Sequence, residues 1–191
     1  MTRNAFALIA IFISSLGAVA APSEAMGPCE REMTQASRAE GVPLSVLYSV
    51  ALTETGQHGR LQPYALNIDG VAVIATSLPE AMQVFAAAQG RGAKFIDIGC
   101  MQINQRWHGA HFASLEAMFD AHLNVAYAAR FLKALRAREA SWTMAVARYN
   151  AGPDNDAGQK RYVCAVIGNM VRSGLGAWTE NARKFCSPGG A

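Results

Sequence analysis

Apolar residues recur every three to four positions along most of this chain, and the spans over which they do so predict helices at 28–40, 43–55, 78–89, 120–138, 141–149 and 156–172. The most regular is 120–138, where Leu123, Tyr127, Phe131 and Leu135 form one face. Arg130, Lys133 and Arg136 form the other, a basic stripe that reads as solvated surface. In the 43–55 span, Leu44, Leu47, Tyr48 and Ala51 mark the apolar stripe, and Glu54 falls on that same stripe just before Gly56 stops the helix. The helical spacing lapses elsewhere. In "YALNIDGVAVIAT" an Asp69-Gly70 pair sits between β-favouring runs and predicts a hairpin, and "AKFIDIG" is a short strand-like run before Cys100. The pattern gives an α+β fold, predominantly α-helical, with a small β-hairpin inserted among the helices.

Residues 1–20 break this pattern. Arg3 is followed by the apolar run "AFALIAIFISSLGAVA", which ends in Ala18-Val19-Ala20, the arrangement of a cleavable secretory signal. A membrane anchor is the competing reading, but the run is short for a span and its small-residue end favours cleavage. No second candidate span follows, so the mature protein is expected to cover 21–191 without a membrane span. Cys29 lies well past the apolar run, behind Met26-Gly27-Pro28, which is not a lipoprotein-type processing context. The remaining length suits one well-buried domain.

Charge and cysteines narrow the class further. The formal charge of +3 falls to +2 once Arg3 leaves, which gives no reason to expect nucleic acid as a partner but suits a polyanionic matrix. Four cysteines, Cys29, Cys100, Cys164 and Cys186, lack the tight paired spacing of a zinc site and in an exported chain favour two disulfides. Sequence permits three pairings. Cys29–Cys100 with Cys164–Cys186 is preferred, because the second pair closes the shortest loop and the first clamps the start of the domain to its motif region.

Three segments could carry chemistry. Glu54, beside Leu47 and Val50 and at the negative end of a helix dipole, has two reasons for a raised pKa and so for remaining a proton donor near neutral pH. A glutamate near a helix end is otherwise commonly a partly exposed surface group. In "DIGCMQIN", Gly99 offers a tight turn and Gln102 and Asn104 offer amides suited to sugar hydroxyls and N-acetyl groups, or to capping the next helix. In "ARYNAG", Tyr149 and Asn150 sit at a helix end closed by glycine. Trp107 and His108 could line a cleft beside them or belong to a packed turn, and His108 is read as structural. No Ser/His/Asp set, phosphate-cradling loop or metal cluster competes, and no cofactor is expected.

Together, in this order, Glu54-Thr55, Gly99-Cys100-Met101-Gln102-Ile103 and Arg148-Tyr149-Asn150-Ala151-Gly152, with Tyr162-Val163 as a weaker fourth element, resemble the SLT-type lytic transglycosylases, lysozyme-like relatives of the goose-type lysozymes. The resemblance covers nearly the whole mature chain. Cys100 and the inserted hairpin resemble a subgroup that accompanies flagella and secretion machines, which implies a component of such a machine as partner. Two departures stand out: Thr55 where serine is usual, and Arg148 where a small apolar residue is usual.

The resemblance implies a periplasmic enzyme acting on peptidoglycan glycan strands between N-acetylmuramic acid and N-acetylglucosamine. Glu54 is then the catalytic acid and, in turn, the base, and the product ends in a 1,6-anhydro sugar. It further implies that Tyr149 holds or polarises Glu54, that Thr55 keeps a hydroxyl for substrate or for Glu54, and that Gln102, Asn104, Asn150 and Tyr162 bind the glycan. A two-carboxylate hydrolase would need Asp69 or Asp97 beside Glu54. The alternatives are a hydrolytic lysozyme on the same scaffold and a glycan-binding subunit without activity.

Overall fold

The computed structural model describes residues 26–56 and 59–187; the signal segment expected at 1–20 lies outside them. The chain opens with α1 (Pro28–Glu40), started by its proline in the first turn and ended by Gly41, whose left-handed φ of 69° lets its N–H close on the Ser37 carbonyl. α2 (Leu44–Thr55) follows. It is buried nearly all round, with Leu47, Val50 and Ala51 fully enclosed, and packs against α1 and the later helix Asp156–Arg172. After it come β1 (Ala65–Ile68) and β2 (Val71–Ile74), joined by Asp69 and Gly70, both at positive φ (48° and 93°), the conformation that a two-residue hairpin turn requires. α3 (Leu78–Gly90) leads to β3 (Ile96–Ile98) and β4 (Ile103–Asn104). The antiparallel sheet has the order β2-β1-β3-β4 and sets Asp97 opposite both Asn67 and Asn104.

The second half is helical. α4 (Gln105–His108) and α5 (Leu115–Phe119) are single turns on either side of a short 3-10 segment, followed by α6 (Ala121–Arg138), α7 (Trp142–Asn150), α8 (Asp156–Arg172) and α9 (Glu180–Cys186). The starts are chemically marked. Asp120, Ser141, Asn155 and Thr179 each accept a backbone N–H three residues on, satisfying a donor that the helix leaves orphaned. α6 packs on α1 and α7, and α8 on α2 and α7, so with α1 on α2 the contacts of these five helices run in a closed ring.

One face is corrected. The stripe expected on α6 was Leu123, Tyr127, Phe131 and Leu135, but its enclosed residues are Asn124, Val125, Ala128, Ala129, Leu132 and Leu135, with Leu123 exposed. The small alanines admit a close approach of neighbouring backbone, which turns Tyr127 and Phe131 to the flank, where they pack with His108 and Tyr149. Both disulfides have the preferred pairing, Cys29–Cys100 and Cys164–Cys186.

Candidate active site

Glu54 stands in the last turn of α2, where the apolar stripe runs out into a groove of about 330 Å³. Gly56, just beyond, ends the helix by closing its N–H on the Leu52 carbonyl. Burial raises the carboxyl pKa to about 8; a hydrogen bond donated by the Tyr162 hydroxyl to Oε1 opposes that rise, and the nearby Asp97 charge adds to it. The Tyr162 and Tyr149 hydroxyls are themselves pushed well above their ordinary range, first by burial and then by Glu54, so both remain donors.

Beside the end of α2, residues 99–102 form a turn held by four helices. Cys100 is bonded to Cys29 of α1, and its carbonyl accepts the Thr55 hydroxyl of α2 at 3.1 Å. The Met101 N–H donates to Asn124 Oδ1 of α6 at 2.9 Å, and the Met101 carbonyl accepts the Tyr149 hydroxyl of α7 at 2.8 Å. Gly99 is obligatory here: its φ is 78°, and a Cβ would lie 2.7 Å from Asn124 Nδ2. Gln102 leaves the turn with a φ of 47°, a conformation non-glycine residues seldom adopt, and its Nε2 is tied to the Gly99 and Ala65 carbonyls at 3.0 and 3.3 Å. Its side-chain oxygen takes no hydrogen bond among the described residues and belongs to a residue that lines the groove.

The groove brings together Glu54, Gln102, Asn104, Tyr149 and Asn150 from distant parts of the chain, and adds Asp97, Trp107, His108, Phe95 and Phe131. Asn104 is doubly engaged within the protein: its Nδ2 donates to Asp97 at 2.6 Å, and its Oδ1 caps α4 at the Trp107 N–H. Burial nonetheless lifts the Asp97 pKa, the Asn104 bond opposing it. Asp69 does not line the groove. Its carboxylate accepts the N–H groups of Lys94 and Phe95 and braces the rim instead. The His108 Nδ1 lies 2.7 Å from the Tyr127 hydroxyl, and burial lowers its pKa, with His111 adding to the effect, so the ring is neutral near pH 7.

Two expected contacts differ. The hydroxyl on Glu54 comes from Tyr162, not Tyr149, because Tyr149 reaches the Met101 carbonyl from α7. Thr55 is buried and lines no part of the groove, because its hydroxyl turns inward to the Ala51 and Cys100 carbonyls, joining the end of α2 to the turn. Sequence reasoning missed Asn124, whose signal was a lone amide among the apolar positions of 120–138, and Phe95, a single aromatic before a strand that carried no signal. Among the described residues, no group of three or more His, Cys, Asp or Glu side chains is placed to hold a metal ion.

The sequence model of the transglycosylase SLT domain matches residues 32–168, a span that contains Glu54, the 99–102 turn and Tyr149, Asn150 and Tyr162. Neither a search of curated proteins nor one of solved structures returns a match.

Proposed function

The chain belongs to the transglycosylase SLT domain family, and from that premise we propose that it is a peptidoglycan lytic transglycosylase in which Glu54 is acid first and base second. The observation that carries this reading is one carboxyl, buried at a helix end and held by a tyrosine, that keeps its proton up to about pH 8 and faces a polar groove. In the first half, the Glu54 proton passes to the glycosidic oxygen between muramyl C1 and the following N-acetylglucosamine, and the C1–O bond breaks. The muramyl N-acetyl group supports the positive charge at C1. In the second half, the Glu54 carboxylate, now stabilised by the Tyr162 hydroxyl, takes the proton from the muramyl C6 hydroxyl as that oxygen bonds to C1. Atoms balance without water, and Glu54 ends protonated.

The remaining roles follow the groove. Gln102 and Asn150 take N-acetyl or hydroxyl groups of the strand, and the Tyr149 hydroxyl fixes the turn that presents Gln102. Asn104 acts through Asp97 and α4, and Thr55 acts through the turn. Two disulfides suit an oxidising compartment, so the proposed site of action is the periplasm, reached by cleavage of the 1–20 signal, with a flagellar or secretion-type machine as the assembly served. No described helix is long and apolar enough to cross a membrane.

Asp97 favours a second reading, hydrolysis, because it is a carboxylate in the same groove as Glu54. Digestion of purified peptidoglycan followed by mass spectrometry separates the two. Transglycosylation gives ends lighter by one water than reducing sugars, and Glu54→Gln lowers turnover roughly 100- to 10,000-fold while the variant still sediments with insoluble peptidoglycan. Asp97→Asn keeps appreciable activity. Reducing ends, with Asp97→Asn as inactive as Glu54→Gln, would establish the hydrolase.

A further inference from the structure

One end of the groove carries an arrangement that the chemistry above leaves unused. Phe95 and Trp107 line the groove yet remain 43% and 64% exposed. Both are fixed at the backbone: the Phe95 N–H donates to Asp69 at 2.9 Å and the Trp107 N–H to Asn104 at 3.3 Å. The guanidinium of Arg106 lies over both rings, 5.6 Å from the Phe95 centroid and 5.3 Å from that of Trp107. Stacking uses the flat faces of a guanidinium and leaves its N–H donors, which lie in the plane, free for an acceptor. Among the described residues Arg106 makes no hydrogen bond or ion pair that would occupy them. An exposed arginine held over two aromatic rings is thus placed to meet a planar anion, and the ring faces beside it to meet a sugar.

We propose that Phe95, Arg106 and Trp107 form a subsite at the rim that recognises an acidic saccharide, the rings taking sugar faces and Arg106 taking a carboxylate carried by a muramyl unit. The proposal rests on the glycan-cleaving reading and makes it more specific: the strand is selected by its anionic groups as well as by its backbone. Two sources supply that carboxylate. One is the muramyl lactyl group, free in strands stripped of peptide; the other is the attached peptide, whose link to the lactyl group converts it to an amide but brings carboxylates of its own.

Calorimetric titration of the Glu54→Gln protein, in which turnover does not intervene, tests this with three probes of equal length: a neutral chito-oligosaccharide, a peptide-free muramyl oligosaccharide, and the same oligosaccharide bearing its peptide. The expected result is about tenfold tighter binding of at least one muramyl probe than of the neutral one, weakened by salt. Adding Arg106→Gln removes that preference, Arg106→Lys restores only part of it, and Trp107→Ala weakens all three. Loss confined to the peptide-free probe assigns Arg106 to the lactyl group, and loss confined to the peptide-bearing probe assigns it to the peptide. A preference unchanged in Arg106→Gln, in protein whose thermal unfolding is also unchanged, overturns the subsite. Failure to bind any probe, with no anhydro product from the wild type, would instead overturn the enzymatic reading.

Discussion

Burial and one hydroxyl pull the Glu54 carboxyl in opposite directions, and their balance sets the pH range in which it has a proton to give. A donor to the charged form lowers a carboxyl pKa, so Tyr162→Phe raises that of Glu54 above about 8 and moves the alkaline limb of the rate profile upward. Its plateau rate falls roughly 10- to 100-fold, because the carboxylate needed in the second half loses a hydrogen bond to a charged acceptor. Asp97→Asn removes a charge that disfavours the Glu54 anion, so the same limb moves downward. Opposite shifts in the pH dependence of kcat/KM for the two variants are the expected result. Glu54 was legible in the sequence because a carboxylate on an apolar stripe at a helix end is conspicuous. Its partner Tyr162 was expected through the resemblance as a glycan-binding residue, not as the donor to Glu54, since a hydroxyl that arrives from 108 positions further on leaves no local trace of what it touches.

Among the elements, the turn at 99–102 joins the most parts, taking one bond or contact each from α1, α2, α6 and α7. Asn124 supplies the central share, donating its amide hydrogens to the Ile98 and Met118 carbonyls and accepting the Met101 N–H on its oxygen. Asn124→Leu strands three buried backbone groups and is expected to cost roughly 3–5 kcal/mol. Gly99→Ala forces a side chain into left-handed backbone against Asn124 and is expected to cost roughly 2–4 kcal/mol. Denaturant midpoints check both, and both lower turnover by displacing Gln102. The hairpin was legible because the Asp69-Gly70 pair marks its turn, and the six long helices because each repeats its period several times. The single turns α4 and α5 and the short α9 do not, and α6 was read about its wrong face because alanines, which pack closely, weigh little in an apolar pattern.

For the whole molecule, the cross-links divide the labour unequally. Cys29–Cys100 joins residues 71 apart and lies in the core beside the groove, whereas Cys164–Cys186 joins residues 22 apart and pins α9, no residue of which lines the groove. Restriction of the unfolded chain puts the first at about 4 kcal/mol and the second at about 3. Paired alanine variants are expected to follow that order in urea, and only loss of the first should lower turnover on peptidoglycan. That the cysteines form two pairs was legible from their spacing. That the first bond clamps the start of the domain to the motif region was legible as well; which helices meet it there was not, because that depends on the packing of α1 against α2 and α6. The pairing also has a temporal side. Each bond joins a cysteine to the next one along the chain, Cys29 to Cys100 and then Cys164 to Cys186. A thiol oxidant that meets the chain from its N-terminus therefore makes the native pairs simply by joining cysteines in their order of arrival. For a chain exported as proposed, an oxidase without an isomerase is then expected to suffice, which the yield of active protein from an isomerase-deficient host checks.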